Sequence, residues 1–102
     1  MKLNVLERLL LLGLLPAEGD LTTIRIVRQL REELSFNEQE HAALQFTQND
    51  KNLNWKDGVV DDKEFEFGAK AHGVIVDTLN KLQESKKVTE QHISLFDKFK
   101  IE

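Results

Sequence analysis

The 102-residue chain contains no cysteine, one proline and five dispersed glycines. Without cysteine it cannot form disulfides, use a thiolate nucleophile or build a cysteine-rich zinc site, so a reducing cytoplasm is the expected location. The glycines match neither phosphate-binding pattern, GxxxxGKS/T or GxGxxG, and no serine stands in a nucleophile-elbow pattern. The sequence therefore predicts a protein that is not an enzyme and binds no cofactor.

A long hydrophobic run is also missing. The leucine-rich stretch Leu3–Leu15 spans 13 residues and is interrupted by Glu7 and Arg8, whereas a membrane-spanning helix needs roughly 20 apolar residues. Because the stretch follows Lys2 and precedes Pro16, a signal peptide is an alternative, but a helix buried on most sides is the preferred interpretation. We therefore expect no membrane association.

Composition and charge indicate a folded protein with an uneven surface. Hydrophobic residues make up 40% of the chain and charged residues 31%, which is typical of a globular protein. A chain of this length accommodates one core, so residues 1–102 are expected to form a single domain. The net charge is -4, and residues 32–69 hold ten of the 18 acidic residues but three of the 14 basic ones. Such an imbalance bears on partners rather than on fold.

Three helices are predicted in the N-terminal part. The first covers Leu3–Leu15, and the second begins after Asp20, a favourable N-cap. Apolar residues of the second helix recur at three- and four-residue steps: Leu21, Ile24, Val27, Leu30 and Leu34. Ser35 and Glu38 have the spacing of a capping box, which predicts a short third helix over residues 36–43.

The pattern then changes to a period of two. Leu44–Thr47 and Leu53–Lys56 alternate apolar and polar residues around a turn at 49–52, which predicts a hairpin, and Lys63–Phe67 alternates in the same way. We expect the three segments to form one antiparallel meander with one buried face. The buried face comprises Leu44, Phe46, Leu53, Trp55, Phe65 and Phe67, and the exposed face Gln45, Thr47, Asn54, Lys56, Glu64 and Glu66.

Helical periodicity returns in the C-terminal part. Residues 69–85 place four apolar residues on one stripe, namely Ala71, Ile75, Leu79 and Leu82. Thr89 is a suitable N-cap for a last helix, with Val88 and Ile93 spaced as a hydrophobic staple. The predicted fold class is therefore α+β, with three N-terminal helices, a three-stranded antiparallel meander and two C-terminal helices packed on one face of the sheet.

Three histidines are the remaining candidates for acid–base or metal chemistry. Glu38 and His41 lie three residues apart and hence on one helical face, a spacing found in carboxylate-bridged metal sites. Such sites need several of these motifs, and the chain has one. Neither His72 nor His92 stands at a zinc-binding spacing from another ligand, so no metal site is predicted.

Two charged sets are candidates for binding. Arg25, Arg28 and Arg31 lie on the second helix, where arginines either lay their stems on the core or contact an anion or phosphate. The acidic set lies within residues 57–66, is opposed only by Lys63, and comprises Asp57, Asp61, Asp62, Glu64 and Glu66. Such a set is either a solvated loop and strand or a surface that attracts a basic partner protein.

Three helices followed by a hairpin is also the outline of a winged-helix DNA-binding domain, whose third helix enters the major groove. Here residues 36–43 contain no lysine or arginine, and they follow Glu32 and Glu33. Because phosphate neutralisation supplies most nonspecific DNA affinity, an acidic third helix argues against this interpretation. Nucleic-acid binding through the second-helix arginines is therefore the alternative function.

Across nearly its full length the chain resembles a group of small proteins encoded by bacteriophages, prophages and related mobile elements. The segments that carry the resemblance are Glu7–Leu12, Leu14–Pro16, Ile26–Arg28, Leu34–Phe36 and Val88–Phe99. They consist of leucines, helix caps and aromatic anchors, so the resemblance implies an origin and no particular activity. What it implies is a short accessory protein made in a bacterial cell, which acts by binding a host or phage component.

The leading functional prediction is a protein-interaction module or modulator. It would contact another protein, one with a basic surface, through the acidic set and the exposed face of the sheet. Homo-oligomerisation through the leucine-rich first helix is a further alternative.

Overall fold

The computed structural model describes residues 1–50 and 52–101, and within them the architecture is α+β, with five α-helices and two two-stranded antiparallel sheets. In chain order the elements are β1 Lys2–Leu3, α1 Val5–Leu14, α2 Leu21–Leu34, α3 Glu38–Leu44, β2 Thr47–Asn49, β3 Asn52–Asn54, β4 Lys63–Glu64, α4 Ala69–Glu84 and α5 Ile93–Lys98. A single 3-10 turn, Glu90–His92, precedes α5. No helix among the described residues is long and apolar enough to span a bilayer.

The helix starts follow side-chain capping. Asp20 accepts a hydrogen bond from Thr23 N at 2.8 Å, which confirms the predicted start of α2. The first and third helices begin two residues later than predicted, because Asn4 and Asn37 are their N-caps. Each asparagine accepts a backbone hydrogen bond at 2.8 Å from the glutamate three residues on, and that glutamate bonds back to the asparagine N–H. Ser35, the predicted cap of the third helix, instead ends α2.

The predicted three-stranded meander is wrong. The hairpin forms as β2–β3, with Gln48 opposite Leu53 and a turn at Asp50. Lys51, which the predicted turn also included, lies outside the described residues. Leu44 belongs to α3, and β4 does not join the hairpin but pairs with β1, so that Lys2 lies opposite Glu64. A period of two indicates an extended segment but does not indicate which strand it pairs with. The partner of β4 is β1, at the N-terminal end of the described chain.

The core lies between α1, α2, α4 and α5. Its buried apolar residues are Leu3, Leu11, Leu15, Val27, Leu30, Leu34, Phe65, Ile75, Leu79, Leu95, Phe96 and Phe99. Because Leu3 and Phe65 are among them, the β1–β4 sheet closes one side of the core. The α4 stripe is confirmed at its centre, where Ile75 and Leu79 are both fully buried.

Several apolar residues of the predicted helix, sheet and staple patterns are exposed. Leu21 at the start of α2 is 67% exposed, and Leu53 of the hairpin is 41% exposed. The hairpin packs on α3 and the preceding loop rather than on a broad helical layer, so its aromatic residues are only half-buried. Val88 and Ile93 are 39% and 52% exposed and form no buried staple, although Thr89 does stand at the N-cap of the 3-10 turn.

Candidate interaction surfaces

The acidic set follows the chain through β4: Asp57, Asp61 and Asp62 lie on the connection from β3, Glu64 lies in β4, and Glu66 lies just after it. All five of its residues are exposed. Gly58 follows Asp57 with a backbone φ of 76°, a left-handed conformation that glycine adopts without strain, and turns the chain there. Glu64 and Glu66 are exposed on either side of Phe65, which is buried in the core and pairs with Met1 across the β1–β4 sheet.

Positive charges near the acidic set are few. The amino group of Met1 lies 2.8 Å from Glu64 Oε1, and this hydrogen bond lowers the pKa of the Glu64 carboxyl. Among the described residues, the other four acids form no ion pair. Lys63, the basic residue inside the segment, places its ammonium 5.4 Å from the Phe65 ring centroid, on the face opposite Glu64. Four exposed carboxylates therefore have no ion-pair partner within residues 1–50 and 52–101.

The arginines of α2 are exposed, and two of them share a groove. Arg28 and Arg31 line a groove of about 340 Å³ together with Pro16 and Ala17, whereas Arg25 lies outside it. Glu32 also lines this groove, and its Oε1 atom lies 4.0 Å from Arg28 Nε. The structure thus brings two of the three predicted arginines into one groove, and the same groove contains the acidic residue Glu32.

Sequence reasoning missed a buried charged cluster around Arg8. The Arg8 side chain is 1% exposed, and its guanidinium lies 3.9 Å from the Phe36 ring centroid. It donates hydrogen bonds to Leu34 O at 3.1 Å, to Ser35 O at 2.8 Å and to Glu40 Oε2 at 2.6 Å. The bond from Arg8 outweighs burial and lowers the pKa of the Glu40 carboxyl. Arg8 thereby ties α1 to the end of α2 and the first turn of α3.

The neighbouring residue Glu7 ties α1 to the C-terminal helix. Glu7 is 1% exposed, and its Oε1 atom accepts hydrogen bonds from Lys98 Nζ at 2.6 Å and from Asn4 N at 2.9 Å. Burial by itself raises the pKa of the Glu7 carboxyl, but the bonds from Lys98 and Asn4 and the nearby Ser94 hydroxyl together lower it. In the sequence, Glu7 and Arg8 are visible only as two charges that interrupt a leucine run.

The three histidines have aromatic or capping neighbours and differ in burial: His41 is exposed, His72 half-buried and His92 buried. The His41 ring contacts Phe36 and Phe46 with centroids 6.1 and 5.5 Å apart, and the His72 ring lies 5.3 Å from that of Phe99. His92 is buried, and its Nδ1 atom accepts a hydrogen bond from Thr89 N at 2.9 Å. Across residues 1–50 and 52–101, no three histidine, aspartate or glutamate residues are grouped so as to hold a metal ion.

The first helix contributes to an apolar groove. Leu9 and Leu12 line a groove of about 380 Å³ with Phe36, Phe46 and Leu53. It lies between α1, the loop before α3 and the hairpin. Of the other α1 leucines, Leu10, Leu11 and Leu14 pack in or against the core. Homo-oligomerisation through α1 stays a prediction, and this groove is where it would apply.

Comparison of the chain with protein-family models, curated proteins and solved structures gave no match. The geometry of the surfaces is accordingly the basis for a functional proposal.

Proposed function

We propose that the protein is a protein-interaction module that binds a basic partner protein through the acidic set of residues 57–66. The observation that carries the proposal is the exposure of all five carboxylates on one short stretch of chain, four of them without an ion pair among the described residues. Carboxylates concentrated in this way attract a positively charged surface and accelerate encounter with it.

The setting of these residues supports recognition. The buried Phe65 side chain and the β1 pairing anchor the C-terminal half of the acidic segment to the core. Glu64 and Glu66 are consequently presented from an extended, anchored backbone, which reduces the entropy lost on binding. Together with the resemblance to small phage and prophage proteins, this favours an accessory protein that acts on a component of a bacterial cell.

The experiment that tests this function is a pull-down from nuclease-treated bacterial lysate. The protein is compared with a variant in which Asp61, Asp62, Glu64 and Glu66 are replaced by lysine. A matched control variant reverses four exposed acids elsewhere, namely Glu18, Asp77, Glu84 and Glu90, and so changes the net charge equally. The proposal predicts a nuclease-resistant protein partner that the first variant loses and the control retains. Equal recovery with all three proteins would contradict it.

A second candidate is nucleic-acid binding through α2, which the shared groove of Arg28 and Arg31 favours. Glu32 in the same groove and the acidic first turn of α3 oppose it. This candidate predicts duplex DNA binding that weakens steeply with salt, and a flatter salt dependence when Arg25, Arg28 and Arg31 are replaced by alanine. Absence of binding at low salt excludes it.

A further inference from the structure

One edge of the β1–β4 sheet has unpaired backbone groups. The pairing is antiparallel, with Lys2 opposite Glu64. Phe65 N donates to Met1 O at 2.8 Å, and Met1 N donates to Phe65 O at 3.1 Å. Because hydrogen-bonded and non-hydrogen-bonded pairs alternate in an antiparallel ladder, the residues on either side of Glu64 bond to β1, and Glu64 directs its N–H and C=O to the opposite side.

The two edges of this sheet differ in how they are covered. On the β1 edge, the outward carbonyl of Lys2 accepts a hydrogen bond from Lys98 Nζ at 2.7 Å, so α5 protects that edge. On the β4 edge, no hydrogen bond within residues 1–50 and 52–101 engages the backbone of Glu64, whose side chain is 58% exposed. An open edge of this kind is a template for the addition of another strand.

The side chains beside the open edge specify the charge of the incoming strand. Asp62, Glu64 and Glu66 are all exposed; Glu64 belongs to β4, and the other two lie within two residues of it. On β1, the residue directly across from Glu64 is Lys2, and its charge contributes to lowering the pKa of the Glu64 carboxyl after the larger effect of the Met1 amino group. A strand added on the other side meets the same carboxylates, and opposite charges across neighbouring strands attract.

We propose that the β4 edge binds an extended basic segment of a partner protein, which adds to the sheet as a third strand with lysine or arginine facing Glu64. This inference rests on the proposed function and specifies its binding mode. Backbone hydrogen bonds to Glu64 supply affinity, and the carboxylates of Asp62, Glu64 and Glu66 select a basic sequence.

The test compares Glu64→Pro with Glu64→Ala. The probe is a synthetic ten-residue peptide of alternating lysine and valine, and its affinity is measured by isothermal titration calorimetry. Both variants lose the carboxylate and its contact with Met1, but only proline also removes the outward N–H. Since proline is tolerated on an edge strand where the N–H faces solvent, the β1–β4 pairing persists in both. We expect Glu64→Pro to bind the peptide about tenfold more weakly than Glu64→Ala. The difference arises because proline removes one backbone hydrogen bond to the peptide and its ring adds a steric mismatch.

Amide hydrogen exchange on the unmodified protein gives a second measurement that is independent of the folding of either variant. The bound peptide is expected to slow exchange of the Glu64 N–H, and a peptide with N-methyl groups on alternate residues is expected to lose both protection and affinity. Failure of the lysine–valine peptide to bind, or binding without protection of Glu64, would overturn the proposal. Equal affinity of the two Glu64 variants would do the same.

The failure of strand addition is distinguishable from the failure of the proposed function. If the two Glu64 variants bind equally but the four-lysine variant loses the peptide, the acidic set recognises basic partners through side chains alone. In that case the carboxylates beside the open edge protect it from pairing with other strands.

Discussion

Charged residues of similar kinds occupy two contrasting regions of this molecule. In α1, Glu7 and Arg8 are each 1% exposed and bonded to groups that come from distant parts of the chain. In residues 57–66 the five acids are exposed, and four have no ionic partner among the described residues. The difference shows that burial, more than the sign of the charge, decides whether a charged residue stabilises the fold or remains available for binding at the surface.

The buried residues Glu7 and Arg8 each connect α1 to other elements of the fold. Arg8 holds the end of α2 and the first turn of α3, while Glu7 holds Lys98 of α5. Removing either side chain leaves its former partner without a compensating charge or hydrogen bond. This lowers the free energy of unfolding more than the loss of an exposed charge does. The comparison therefore makes graded predictions for the free energy of unfolding.

The largest effect is expected for Arg8→Ala. The change leaves the carbonyls of Leu34 and Ser35 without their donor and Glu40 without its cation, so the free energy of unfolding should fall by about 3–5 kcal/mol. Urea denaturation followed by circular dichroism measures it. Arg25→Ala, at an exposed position with no ion pair among the described residues, is the matched control and should change the free energy by less than about 0.5 kcal/mol. A similar loss in both variants would show that Arg8 is not a structural connection.

Glu7→Gln should have the next largest effect, a loss of about 1–3 kcal/mol at neutral pH, because the ion pair with Lys98 becomes a hydrogen bond from the Lys98 ammonium to an uncharged amide oxygen. The pKa of Glu7 is lowered in the folded protein, so its contribution to stability is complete above the ordinary glutamate pKa and is lost as the pH falls through the folded value. The difference between wild type and Glu7→Gln should therefore shrink below about pH 4.5. A difference that stays constant down to pH 3 would contradict the direction of this pKa shift.

Glu40→Gln should lower the free energy of unfolding by about 1–2 kcal/mol. The Glu40 side chain is 15% exposed. Its carboxylate accepts hydrogen bonds both from Arg8 and from Asn37 N, the N-cap residue of α3. The loss should be accompanied by faster amide exchange in α3 than in α4, because Glu40 lies in the first turn of α3 and joins its N-cap to Arg8. Uniform changes in exchange across both helices would argue that Glu40 does not act on α3 specifically.

The smallest effect on folding is expected in the acidic set. Replacing Asp61, Asp62 and Glu66 by lysine should change the free energy of unfolding by less than about 0.5 kcal/mol per substitution, because these side chains are exposed and unpaired among the described residues. Thermal and urea unfolding both report on this change. A fall in the free energy of unfolding comparable to that of Glu40→Gln would mean that the segment has a structural role. It would contradict the difference drawn between the two regions.

Much of the helical structure could be predicted from the sequence because its signals are local. The apolar period of α2 and α4 and the Asp20 cap depend on neighbours within a few residues, and both helices lie close to their expected positions. The helices α1 and α3 begin later than predicted because Asn4 and Asn37 are their N-caps, and before α3 Asn37 takes this role in place of Ser35. The α+β class and the hairpin could be predicted for the same local reasons.

The arrangement of the strands and the buried charges could not be predicted, because their partners are remote. The pairing of Lys2 with Glu64 depends on the docking of α1, α2 and α4, which no local period reveals. Similarly, the partners of Arg8 are residues 34–40, and Lys98 reaches Glu7 from the opposite end of the chain. The acidic set was apparent from composition, but whether it recognises a partner stays a prediction.

The most direct measurement of the central claim is the affinity of the lysine–valine peptide for the two charge-reversed proteins over a series of salt concentrations. The variant with lysine at Asp61, Asp62, Glu64 and Glu66 should lose at least about tenfold in affinity at low salt, whereas the variant reversed at Glu18, Asp77, Glu84 and Glu90 should stay within about threefold of wild type. This result would establish that residues 57–66 recognise basic segments. Equal losses in the two variants would show that net charge alone governs binding, and would contradict the account.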